Sequence, residues 1–174
     1  MNDNRQSTKP GWIRSALDRF ERDLLRYAQR ILGDAGRAED VVQDTFLQLC
    51  KEQPESLNGK LAPWLYTVCR NRSLDVKRKE QRMTTIVDGQ VAFEPSTDAT
   101  PDVRVEQSDT SNVIARLMVE LPGNQQEVIR LKFQGGLTYR QIAEVTGLSA
   151  SNVGFLIHTG ISTLRKQMNV QTRG

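Results

Sequence analysis

The sequence predicts an all-α fold of two small helical domains, 12–82 and 111–170, joined by an acidic flexible linker over 83–110. Three observations carry this expectation. Apolar residues on both flanks recur at spacings of three and four and never alternate with polar ones at period two for long, which selects helices over strands. Charge falls in blocks. Residues 1–60 balance; Arg70, Arg72, Lys77, Arg78 and Lys79 then stand against Asp75 alone, and from 80 to 112 acids prevail (Glu80, Asp88, Glu94, Asp98, Asp102, Glu106 and Asp109 against Arg82 and Arg104). The net charge of +3 conceals this pattern. Finally, the stretch from Met83 to Ser111 holds Gly89, Pro95, Pro101 and many hydroxyl residues without a sustained apolar period. Such a segment buries too little apolar surface to offset its ordering entropy.

The elements follow in order. Ile13, Leu17, Phe20, Leu24, Tyr27, Ile31 and Leu32 form the inner stripe of a first helix that Gly33 ends. A second starts near Ala38 with Val41, Val42, Thr45, Phe46 and Leu49 facing inward, and Pro54 bars its continuation. A third begins at Pro63, a favoured first-turn residue, and runs through Trp64, Leu65, Val68 and Leu74 to Lys79. Beyond the linker, Val113, Ile114, Leu117, Met118 and Leu121 line a fourth, broken by Leu121-Pro122-Gly123. Asn124 is the expected cap of a fifth helix with Val128, Ile129 and Leu131 inward. Thr138 caps a short sixth helix, Tyr139 to Val145, and Ser149 caps a last one reaching about Gln167.

Composition excludes several functions. The 174 residues include one His and two Cys, too few for a disulfide scaffold. Cys50 and Cys69 are expected as small buried side chains. Without a Gly-rich phosphate loop, a nucleophile–base pair or a metal set, no catalytic residue, metal or cofactor is expected. No apolar run approaches the ~20 residues of a membrane span, and Met1 to Gln6 lack a signal stretch. A cytoplasmic chain without membrane insertion is the expectation.

Two segments of the first domain carry chemistry. Asp40, Gln43, Asp44 and Leu47 share one helix face by the three-and-four rule. That acidic, amide-bearing stripe repels DNA and suits a basic protein surface, or is simply solvated. From Trp64 to Lys79, aromatics at one end of a helix meet cations at the other. Arg70 and Arg72 can hold phosphates, and Asn71 and Arg72 can bond base edges. The aromatics, with the loop Glu52–Lys60, could support an unstacked base, or Trp64 and Tyr66 are core.

In the second domain, residues 138–158 fit a DNA-binding helix-turn-helix, or else a helical hairpin that packs on protein. Ala143 is small where two helices would cross, Gly147 can take the positive φ of the turn, and Ile142, Leu148, Val153 and Leu156 would pin the second helix to the first. Its N-terminal residues are then free to meet a major groove. Arg140, Ser149, Ser151, Asn152 and His158 are the polar candidates.

Together these segments resemble the sigma factors of bacterial RNA polymerase, of the sigma-70 family and its minimal extracytoplasmic-function (ECF) group. The likeness rests on Ala38-Glu39-Asp40-Val41-Val42-Gln43-Asp44-Thr45-Phe46, on Trp64-Leu65-Tyr66 through Arg70-Asn71 to Leu74-Asp75, and on Leu121-Pro122 with Leu137-Thr138-Tyr139-Arg140-Gln141-Ile142-Ala143 and Gly147-Leu148-Ser149. It implies promoter-specific initiation in partnership with core RNA polymerase, its β′ and β subunits, and promoter DNA. Asp40, Gln43, Asp44 and Gln48 would dock on the β′ clamp helices. Arg70, Asn71, Arg72, Asp75 and Arg78 would capture the −10 element, and the helix-turn-helix would read the −35 element. The acidic linker would run near the polymerase active-centre and RNA-exit channels, and an anti-sigma factor would hold the chain inactive. The sequence departs from the family at Val153-Gly154-Phe155-Leu156-Ile157-His158, where a basic stretch is usual. Phe155 or Leu156 there would touch thymine methyls or another protein. The alternative is a stand-alone regulator binding operator DNA through 138–158, which leaves the basic Trp64–Lys79 helix unexplained.

Overall fold

Thr8 begins the first helix, α1 (Lys9–Leu32): its hydroxyl accepts the Gly11 N–H at 3.3 Å, and Pro10 occupies the first turn, where a missing N–H costs nothing. Gly33 ends α1 at φ 71°, a left-handed backbone that glycine enters without strain. Asp34 follows at once as the cap of α2 (Ala35–Leu49), its carboxylate accepting the Arg37 N–H at 2.8 Å. That cap starts α2 three residues before the expected Ala38. The computed structural model describes residues 8–88 and 109–173, and its contacts divide the chain into two units, 1–101 and 102–174.

In the first unit a short 3-10 turn, Pro54–Leu57, leads to α3 (Leu61–Asp88). The core is the meeting of three helix stripes: Phe20, Leu24, Tyr27 and Ala28 of α1, Ala38, Val41, Val42, Thr45, Phe46 and Leu49 of α2, and Leu65, Tyr66, Cys69 and Ser73 of α3. Small side chains let the helices approach, and their polar atoms are satisfied locally. Thr45 Oγ1 donates to the Val41 carbonyl and Ser73 Oγ to that of Cys69, both at 2.8 Å, which removes most of the cost of burying a hydroxyl.

Three expectations change here. Helix α3 starts at Leu61 and continues to Asp88, past the expected end at Lys79 and into the segment assigned to the linker. Thr84 and Thr85 donate back to the Glu80 and Gln81 carbonyls at 3.0 and 2.8 Å, and Glu80 pairs with Arg37 of α2. Helix α4 likewise begins at Asp109; the linker residues 89–108 lie outside the described residues. Finally, Cys50 is exposed while Cys69 is buried. Cys50 caps α2 where the chain leaves the core, whereas burial pushes the Cys69 thiol up to about 12, against hydrogen bonds from Ser73 and Thr45 that lower it.

The second unit holds α4 (Asp109–Glu120), α5 (Gly123–Phe133), α6 (Tyr139–Thr146) and α7 (Ala150–Arg173). Pro122, not Asn124, is the cap of α5. Asn124 lies inside the first turn, where its Oδ1 accepts the Gln125 N–H at 2.8 Å. Gln126 Nε2 reaches back to the Leu121 and Val119 carbonyls at 2.7 and 3.1 Å, closing the end of α4. Leu117, Leu121, Val128, Ile129, Leu131, Leu137, Ile142, Val145, Val153, Leu156 and Ile157 make the core. Helices α5 and α7 touch at Gly160, where a Cβ would stand 2.6 Å from Ile129 Cδ1.

Candidate nucleic-acid interface

Because Val41, Val42, Thr45, Phe46 and Leu49 turn inward, α2 must present Asp40, Gln43, Asp44 and Leu47 to solvent. All four are exposed, and Gln48 at the edge of the stripe is half-buried. Leu47 is 55% exposed, an apolar side chain amid carboxylates and an amide. Helix α3 packs beside α2, and its outward residues continue this surface with opposite charge. Arg72 Nη1 lies 3.1 Å from Asp44 Oδ2, so the acidic stripe and the basic helix are joined by an ion pair between residues 28 positions apart. Asn71 is exposed, Arg70 half-buried, and Asp75 holds Arg78 at 3.2 Å.

The aromatic end of α3 divides. Tyr66 is buried, edge-on to Tyr27 with ring centroids 5.3 Å apart. Burial first, then the Asp23 carboxylate, pushes its hydroxyl above the usual phenol range. It cannot stack on a base. Trp64 is half-buried. Sequence reasoning missed Trp12, which lines a depression with Pro54, Glu55, Leu57, Asn58, Gly59 and Leu61, the loop expected to support an unstacked base. Its place at the start of an amphipathic helix, outside every motif, hid it.

In the second unit the turn forms as its residues dictate. Thr138 and Gln141 make a reciprocal capping box at the start of α6. Gly147 ends that helix at φ 76°, and Ser149 Oγ accepts the Asn152 N–H at 3.1 Å to open α7. Arg140, Ser149, Ser151, Asn152, Phe155 and His158 are all exposed, against a buried stripe of Val153, Leu156, Ile157 and Gly160. Ala143 is half-buried rather than enclosed. The close approach of α6 to α7 falls at Gly154, where a Cβ would meet the Tyr139 ring at 3.4 Å. Lys132 Nζ stands 5.4 Å from the centre of that ring. A glycine inside a long helix costs about 1 kcal/mol against alanine, and this was the available signal for both Gly154 and Gly160.

Among the described residues no cluster of three His, Cys, Asp or Glu could hold a metal ion, and no helix is long and apolar enough to cross a membrane.

Residues 16–83 match the family model of Sigma-70 region 2, and residues 111–164 that of Sigma-70, region 4. Over 156 residues the chain is 31% identical to the ECF RNA polymerase sigma factor SigL of Mycobacterium tuberculosis, with 88% of this chain and 86% of that protein covered. The chain belongs to the ECF sigma factors of the sigma-70 family. It is also 26% identical over 162 residues to the ECF sigma factor SigW of Bacillus subtilis, covering 87% and 86%. The fold is shared with the Bartonella quintana sigma factor RpoE, solved in complex with the anti-sigma factor NepR, at a TM-score of 0.59 and 21% identity over 90% of this chain and 96% of that one. In this sigma factor the acidic stripe of α2 and residues 61–83 of α3 fall inside the region 2 match, and the whole turn from Thr138 to Asn152 inside the region 4 match.

Proposed function

We propose that this sigma factor docks on the β′ clamp helices of core RNA polymerase through Asp40, Gln43, Asp44 and Gln48, with Leu47 packing at the centre of the contact. Arg70, Asn71, Arg72, Asp75 and Arg78 take the −10 element and help open it, and Trp12, rather than Tyr66, is the ring beside the depression that receives an unstacked base. The turn from Arg140 to His158 reads the −35 element. Domain boundaries at 12–82 and 111–170 suit this division, with α3 reaching beyond the first of them. Phosphodiester chemistry belongs to the polymerase, and the site of action is the cytoplasm, where polymerase and chromosome meet. By likeness to RpoE, an anti-sigma factor holds the chain inactive until a signal releases it.

One observation supports this reading above the others: two adjoining helix faces of opposite charge, joined at Asp44–Arg72. A carboxylate stripe suits a basic protein and repels phosphate, while its neighbour does the reverse. A stand-alone operator-binding regulator would have no use for this pairing. Run-off transcription with core polymerase and no other sigma factor tests the proposal, on a promoter recovered from DNA bound by the reconstituted holoenzyme. A discrete transcript is expected; no transcript, or inhibition, would overturn it.

A further inference from the structure

Helix α7 enters its proposed groove without charge. No Asp, Glu, Lys or Arg stands between Glu144 and Arg165, so its first four turns offer no cation to a phosphate and no anion to repel one. Discrimination on this face has to come from hydrogen bonds and apolar contact. At about 100° per residue, Ser151, Phe155 and His158 fall together at the middle of the outward face, with Asn152 flanking them. Val153, Leu156, Ile157 and Gly160 occupy the opposite side and are buried. Phe155 is 66% exposed, the one large apolar side chain on a face otherwise made of hydroxyl, amide and imidazole.

A protein partner would ask for a contiguous apolar patch of a few hundred Å², whereas on the outward face of α7 itself Phe155 is flanked by exposed Ser151, Asn152 and His158. The major groove, by contrast, presents one isolated apolar feature, the C5-methyl of thymine, set among hydrogen-bond donors and acceptors. Its pattern matches a lone phenyl ring among Ser151, Asn152 and His158. We infer that Phe155 is a specificity-determining residue that packs on a thymine methyl of the −35 element. This rests on the proposed −35 role of the turn and adds the base and the atom that are read.

The test is the holoenzyme, with wild-type chain or Phe155→Ala, on −35 elements selected by the wild-type holoenzyme from randomised DNA. Each thymine is replaced in turn by deoxyuridine, which removes the methyl and leaves the pairing edge. Wild type should lose affinity about fourfold at one position, roughly what burying one methyl group is worth. Phe155→Ala should lose about as much on the thymine duplex and respond no further to deoxyuridine there. Phe155 is exposed, so its removal leaves the core intact. Wild type indifferent at every thymine would overturn the inference, with capture of a protein partner lost in Phe155→Ala marking that face as a protein contact. Equal sensitivity of both chains at the same thymine would also overturn it, by assigning the methyl to another residue. In either case transcription from the selected promoter would persist, whereas failure of the function itself would abolish it.

Discussion

Helices α3 and α7, both proposed to meet DNA, solve that problem by different physics. Helix α3 carries Arg70, Arg72, Lys77, Arg78, Lys79 and Arg82 along a little over three turns. Helix α7 carries none until Arg165. Phosphate contacts dominate affinity and weaken with salt, whereas base contacts carry sequence information. On the proposed roles, α3 would therefore supply more of the electrostatic grip than α7, and α7 would act chiefly by discrimination between bases. The contrast also explains why an acidic stripe can sit beside the basic helix: Asp44 takes one guanidinium of Arg72, shielding the two faces from one another. As an exposed pair it adds little to stability.

The comparison can be broken most forcefully at the acidic stripe. Replacing Asp40 and Asp44 together by Lys should weaken association with core polymerase by roughly a hundredfold, because like charges brought together cost several kcal/mol. Circular dichroism should show unchanged helix content, since both side chains are exposed. Unchanged binding in a polymerase titration would remove the docking role.

A smaller effect separates the two units as folding bodies. Gly160→Val should overpack the seam between α5 and α7 and cost the second unit about 1–3 kcal/mol, because even a Cβ would crowd Ile129. Both tryptophans, Trp12 and Trp64, belong to the first unit. Thermal unfolding followed by tryptophan fluorescence should therefore stay in place while the helix signal melts earlier. A shift in both would show that the units do not unfold separately.

Much of the fold was legible because it rests on local rules. The inward stripe of α2 is the one its spacing predicts, and Gly33, Thr138, Gly147 and Ser149 act where their backbone freedom or hydroxyls suit them. The extension of α3 to Asp88 was hidden because acidic, hydroxyl-rich sequence reads as linker unless the backward hydrogen bonds of Thr84 and Thr85 and the Arg37–Glu80 pair are seen. Asp34 was passed over as a cap for α2 because Gly36 discourages a helix there. At the candidate site, spacing found the exposed stripe of α2 and the exposed residues of the turn between α6 and α7. It could not find what depends on a partner far along the chain: the bond from Arg72 to Asp44, Tyr27 as the ring against which Tyr66 is buried, and the Trp12 depression.

The division of labour is tested most directly at the −10 region, by permanganate reactivity of its thymines in complexes with wild-type chain or with Asn71→Ala and Arg72→Ala combined. Duplex capture should persist through the remaining cations of α3 and through α7, while thymine reactivity falls by about tenfold, as expected when base contacts worth ~1–3 kcal/mol are lost. Undiminished reactivity would contradict the account, and with it the assignment of strand opening to the basic helix.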